Sequence, residues 1–112
     1  MTITLPYPPS ANRYWRHNRG ITHRSKEAVA YINQVGLLCT TQRATPTPEN
    51  VRVTLRVYRP ANRGDLDNTA KVLLDSLKGF AYFDDKQIVE LHSYRYDDKS
   101  APRVEVSVSE VK

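Results

Sequence analysis

This sequence predicts a two-layer α+β domain, a mixed β-sheet carrying two helices in the order β-α-β-α-β-β, and three observations support it. Apolar residues alternate strictly from Val51 to Val57 and again from Val104 to Val108, the period of strands with one buried face. They recur at helical spacing in Ala28, Ile32, Val35 and Cys39, and in Ala70, Leu73, Leu74 and Leu77. With 112 residues, the chain has room for one domain, residues 1–112, and the order of its elements lets the helices cover one face of the sheet.

The elements follow in order. Ile3 and Leu5 alternate with Thr2 and Thr4 until Pro6, Pro8 and Pro9 stop the ladder, which gives a short first strand. A basic loop follows. Ser25 then caps a helix over about residues 26–43, with Glu27 in its first turn complementing the macrodipole. Thr45 to Asn50, with Pro46 and Pro48, reads as a connector. Val51, Val53, Leu55 and Val57 form the clearest strand, its other face carrying Arg52 and Arg56. Pro60 to Gly64 is a turn, and a second helix spans about residues 67–78, ended by Gly79 at the C′ position. Strands over 88–94 and 103–111 complete the sheet.

Leu, Ile, Val and Phe make up 26 of the 112 residues, above the share of roughly 20% below which chains stay disordered. No apolar run approaches the roughly 18 residues a membrane span needs. The opening residues lack the basic and apolar regions of a signal peptide. A single cysteine, Cys39, excludes an internal disulfide and argues against structural zinc, so a reducing cytoplasm is expected. The net charge of +5 conceals an asymmetry: residues 1–64 carry ten Lys/Arg against Glu27 and Glu49, whereas residues 65–112 carry seven against ten acids. Two stretches hold no acid at all, Arg13 to Lys26 and Arg52 to Arg63, with Tyr7, Tyr14, Trp15 and Tyr58 threaded among them. Arginines outnumber lysines 11 to 6, which suits bidentate phosphate contacts. A nucleic-acid partner follows from that footprint. No phosphate-loop, dinucleotide or zinc-protease string occurs, so no nucleotide cofactor is expected.

The string Arg63-Gly64-Asp65-Leu66-Asp67-Asn68-Thr69-Ala70-Lys71 lies where the basic strand hands over to the second helix. In an extended segment residues two apart project from the same side, so Asp65 and Asp67 can converge on one ion. Lys71, four residues after Asp67, shares its helix face. Asp84-Asp85, just before the next strand, offers a third carboxylate. Mg²⁺ takes few carboxylates, together with waters and a substrate phosphate. Aspartates at a helix start also serve as caps, but capping needs only one of them, and two carboxylates about 4 Å apart repel by roughly 4 kcal/mol at an effective dielectric of 20. The string is not a calcium loop, because Ala70 stands where that loop requires Gly. His17, His23 and His92 lack ligand spacing.

Three segments together, Leu5 to His17, Gly64 to Asn68, and Phe83-Asp84-Asp85-Lys86-Gln87-Ile88-Val89, resemble the RusA family of Holliday-junction resolvases, in order and at comparable spacing over nearly the whole chain. The resemblance implies a small homodimeric, Mg²⁺-dependent endodeoxyribonuclease of bacterial or prophage origin. Such an enzyme nicks four-way junction DNA symmetrically, leaving 5′-phosphate ends, in recombination and repair. It assigns Asp65, Asp67 and Asp85 to the metal and Lys71 to catalysis. The family often carries Arg directly before the first aspartate, where this chain has Gly64, and Arg63 takes that part from one position earlier. Arg13, Arg16, Arg19, Arg52, Arg56 and Arg59 would join it in holding DNA phosphates. Two other readings stay open: a non-catalytic DNA-binding module, and a nuclease for another branched or single-stranded nucleic acid.

Overall fold

The computed structural model describes residues 1–60 and 65–112. Its main sheet has four strands in the order β1-β6-β4-β5, where β1 is Thr2–Pro6, β4 Val51–Arg59, β5 Ile88–Asp97 and β6 Arg103–Glu110. β1 and β4 flank β6 antiparallel to it, and β5 runs parallel to β4 at the edge. The sheet is therefore mixed, and the α+β class holds.

Alternation decides which face is covered. Ile3, Leu5, Val51, Val53, Leu55, Val57, Val104 and Val106 all point to one side and are 1% exposed or less. Against them pack Tyr31, Val35 and Cys39 of helix α2 (Lys26–Thr41) and Ala70, Leu73 and Leu77 of helix α3 (Leu66–Leu77). Among the described residues, the opposite face, with Arg52, Thr54, Arg56 and Tyr58 on β4, carries no helix. Both helix starts expected from the sequence are capped: Ser25 Oγ accepts the Ala28 N–H at 3.1 Å, and the Asp65 carboxylate accepts the Asp67 N–H at 3.0 Å. Gly79, at φ +91°, closes α3 in the left-handed region that glycine enters without strain.

The expected basic loop turns out to be structured. A one-turn helix α1 (Ala11–Tyr14) leads into a two-stranded ribbon, β2 (Trp15–Asn18) and β3 (Ile21–Arg24), outside the main sheet. Arg19 and Gly20 both have positive φ, 52° and 78°, the signature of a two-residue hairpin turn whose twist matches its strands. The sequence carries the turn signal in Asn18-Arg19-Gly20, but the flanking strands, polar except for Trp15 and Ile21, show no apolar alternation. The ribbon is fastened to α3: Tyr14 Oη donates to Asp75 at 2.5 Å, and the Arg24 guanidinium donates to both Asp75 oxygens at 2.9 and 3.0 Å. Tyr14 itself is fully buried beside Ala28 and Val72, with Trp15 edge-on at 4.7 Å.

Candidate active site

Helix α3 builds the site from its first turn. Asp65 is extended, caps the helix and accepts from Asp67 N–H and, at 3.4 Å, from Asn68 Nδ2. Thr69 Oγ1 donates to the Asp65 carbonyl at 3.0 Å, tightening the same turn. Asp67 is exposed one turn before Lys71, also exposed, and among the described residues no ion pair neutralises either side chain. The two acidic residues thus stand in the first turn of α3, at the positive end of the helix macrodipole. Asp65, Asn68 and Thr69 line a groove of about 620 Å³ whose other wall is Tyr7, Pro9 and Arg13. A second groove of about 290 Å³ adjoins it through Asn12 and Asn68, and holds Trp15, His17, Thr22 and Lys71.

Asp85 lies elsewhere. α3 runs back along the sheet after β4, so its start follows Arg59 while its end approaches Val51, which pairs with Ile88. The 12 residues of the helix span roughly 18 Å at 1.5 Å per residue. Asp65 and Asp67 stand at one end of that length, and Asp85 stands beyond the other. Asp85 opens a one-turn 3₁₀ helix (Asp85–Gln87) capped by Asp84, which accepts the Lys86 N–H at 2.9 Å. That N–H, and then the Asp85 side chain, hold the Asp84 carboxyl below the usual carboxylate range. Gln87 answers from the third position, its Oε1 accepting the Asp84 N–H at 2.9 Å, and its Nε2 donates to the Thr47 and Glu49 carbonyls. Among the described residues, no group of three acidic, His or Cys side chains in one chain is placed to hold a metal ion. The expectation that the strand beside the helix delivers a third carboxylate to the same chain's pair is therefore not met.

The arginines do not form one face either. Arg16 and Arg19 are exposed on the ribbon, on the helical side, and Arg13 lies nearby, 3.7 Å from Glu27. Arg52 and Arg56 project from the uncovered side of the sheet, Arg52 ion-paired with Glu90 at 2.6 Å and Arg56 over the Tyr94 ring at 5.7 Å. Arg59 is a correction: alternation turns it inward with the core residues of β4, where it is 5% exposed and 2.8 Å from Asp97. An arginine so enclosed does not present its guanidinium to a phosphate in solvent. Arg63 and Gly64 lie outside the described residues. On the uncovered face, Arg103, Tyr58 and Tyr96 form a row across three strands, the guanidinium 3.9 Å from the Tyr58 ring and the two rings stacked at 4.9 Å.

The Tyr14–Asp75–Arg24 fastening was not foreseen, because nothing in the spacing of residues 14, 24 and 75 links them. Burial raises the Asp75 carboxyl, but hydrogen bonds from Arg24 and Tyr14 outweigh it and hold the group below its ordinary value. Burial, and then the bond to Asp75, push the Tyr14 phenol well up. Cys39 is core, as its place on the apolar stripe of α2 predicts, and burial raises its thiol.

The sequence matches known proteins. Residues 6–109 match the family model described as endodeoxyribonuclease RusA. The chain is 35% identical over 113 residues to the crossover junction endodeoxyribonuclease RusA of Escherichia coli K12, covering 98% of this chain and 94% of the relative. It is 37% identical over 116 residues to the enzyme of the same name from Enterobacteria phage 82, covering 97% and 93%. The corresponding protein of Shigella sonnei is 35% identical over 113 residues.

Proposed function

The chain belongs to the RusA family of endodeoxyribonucleases, and from that premise we propose that it resolves four-way DNA junctions by paired, Mg²⁺-dependent nicks in recombination and repair. The observation that carries the reading is the pair of exposed carboxylates at the start of α3, with Lys71 one turn on, set beside a groove whose walls lead to the arginine-bearing ribbon.

The donor set fits a hard cation. Asp65 and Asp67 are oxygen donors at a solvent-facing helix start, and Mg²⁺ is held by one or two carboxylates plus waters and substrate phosphate oxygens. Bound there, it would supply a water acidified enough to attack phosphorus and a counter-charge for the phosphate. Lys71 would carry part of the negative charge that grows on the phosphate oxygens during in-line displacement. Arg13, Arg16 and Arg19 would hold the arms of the junction through their phosphates.

Asp85 joins this site from a second copy. β5 is an edge strand whose outer backbone edge pairs with no strand among the described residues, and Val89, Leu91, Tyr94 and Tyr96 along it are between 42% and 49% exposed. Two β5 strands paired antiparallel about a two-fold axis would set the start of one beside the end of the other. The end of β5 lies next to Arg59, where α3 begins. Asp85 of the partner subunit would thus approach Asp65 and Asp67, and the isologous dimer would present two such sites to the two opposed strands of a junction.

Incubation of a synthetic four-way junction with the protein and Mg²⁺ tests this. Two symmetric nicks with 5′-phosphate ends are expected. Asp67→Asn is expected to cut at least about 10³-fold more slowly and to bind the junction equally or more tightly, since a charge facing phosphate is removed. Intact strands at stoichiometric wild-type protein would leave the DNA-binding module as the better reading.

A further inference from the structure

We infer that His17 is a further substrate-contacting residue, donating a hydrogen bond from Nε2 to a phosphate oxygen of the strand being cut, opposite Lys71. The inference rests on the nuclease reading and deepens it. His17 lies on β2, and on the ribbon face it shares with Thr22 its Nδ1 is 2.9 Å from Thr22 Oγ1. That contact fixes the ring plane and engages one nitrogen; with the Thr22 hydroxyl donating to Nδ1, the assignment the inference makes, the ring proton sits on Nε2. Nε2 has no partner among the described residues.

Three placements make this more than an exposed histidine on a basic arm. His17 and Thr22 wall the same 290 Å³ groove as Asn68 and Lys71 of α3, with Trp15 and Asn12 closing it. The groove is continuous at Asn12 and Asn68 with the larger one that Asp65 lines, so a strand passing the carboxylates continues between His17 and Lys71. The ribbon is held against α3 by Tyr14, Arg24 and Asp75 rather than swinging free, so the spacing of the two walls is set before DNA arrives. A phosphate between an imidazole N–H and an ammonium group is bound in a preorganised donor pair, the arrangement that stabilises growing oxyanion charge. Every donor named is a nitrogen, and the groove carries no carboxylate, which suits an anion.

The test separates binding from chemistry. Junction affinity is measured in Ca²⁺, and the single-turnover cutting rate in Mg²⁺ with the junction saturated by protein. His17→Ala is expected to slow cutting about 10²-fold while affinity changes less than about threefold. His17→Gln is expected to recover part of the rate, because its side-chain amide places an N–H near the position of Nε2. Thr22→Val is expected to slow cutting several-fold by releasing the ring. Arg19→Ala at the ribbon tip should do the reverse, weakening affinity more than rate. Wild-type rate in His17→Ala, or Gln no better than Ala, overturns the inference. Should the wild-type protein cut nothing, the nuclease reading fails separately, and the inference is decided by the His17 ring-proton resonance on titration with the junction in Ca²⁺. A shift that is lost in Lys71→Ala supports the contact, and an unmoved resonance overturns it.

Discussion

Asp65 carries two tasks that one substitution can separate. Its carboxylate caps α3 through the Asp67 N–H, and its charge belongs to the proposed metal pair. Asparagine caps a helix about as well as aspartate. Asp65→Asn is therefore expected to stay within about 0.5 kcal/mol of wild type in urea unfolding yet to lose junction cutting, whereas Asp65→Ala loses cutting and about 1 kcal/mol of stability. A stable, active Asp65→Asn would reduce the residue to a cap. Asp75 makes a pH prediction. Its folded pKa lies below its ordinary value of about 3.9, so the unfolded chain binds the proton more readily. The stability this supplies is complete above that ordinary value and is lost as pH falls through the folded pKa. Asp75→Asn is expected to cost about 2 kcal/mol at neutral pH, since charge-assisted hydrogen bonds are lost, and its deficit against wild type should shrink below about pH 4. A deficit constant between pH 7 and pH 3 would refute the role given to Arg24 and Tyr14.

At the level of the elements, α2 is pressed close to the segment that follows α3. A methyl group added at Gly36 would sit 2.8 Å from two ring carbons of Phe80, closer than real side chains come. Glycine inside a helix normally costs about 1 kcal/mol relative to alanine, so the position keeps a poor helix former for the sake of that contact. Gly36→Ala is expected to lower the melting temperature of the wild-type protein. In a Phe80→Ala background, where the ring is gone, the same change should stabilise by about 1 kcal/mol. Equal effects in both backgrounds would mean the ring moves aside at no cost. The helices and main strands were legible because apolar spacing is a local property: α2 and α3 end within two residues of their expected limits, and Ser25 and Gly79 mark the boundaries expected of them. The β2–β3 ribbon was not, because it buries little apolar surface of its own and has no period to read. It owes its place to Tyr14, Arg24 and Asp75.

For the whole molecule, the separation of Asp85 from Asp65 and Asp67 by the length of α3 yields a test of the proposed dimer. If each site takes the pair from one copy and Asp85 of the partner subunit, a mixed dimer of Asp67→Asn with Asp85→Asn contains one site with both defects and one with none. Either variant alone is expected to be inactive, and the mixture, refolded together to exchange subunits, should regain nicking of one strand per junction. Persistent inactivity of verified mixed dimers would place all the required groups in one chain. Among the described residues no helix is long and apolar enough to cross a membrane, and the proposed binding face is distinguished by free charge: the ribbon keeps Arg16 and Arg19 exposed, whereas Arg52 is already engaged by Glu90. Loss of Arg16 is therefore expected to weaken junction binding and its salt dependence more than loss of Arg52.

The sequence by itself determined the class of the fold, its principal helices and strands, and the acidic pair at a helix start with a lysine one turn on. All of these depend on residues a few positions apart, whose mutual placement the backbone period dictates. Only the tertiary structure decided that the ribbon arginines and those of β4 lie on different sides, that Asp85 stands at the far end of α3, and that His17 meets the groove of Lys71. Alternation says which residues of a strand lie together on the covered face, but not where two separate elements stand relative to one another. A helix crossing between two parallel strands carries its two ends to opposite ends of the sheet, so residues 67 and 85, close in number, are set far apart in space.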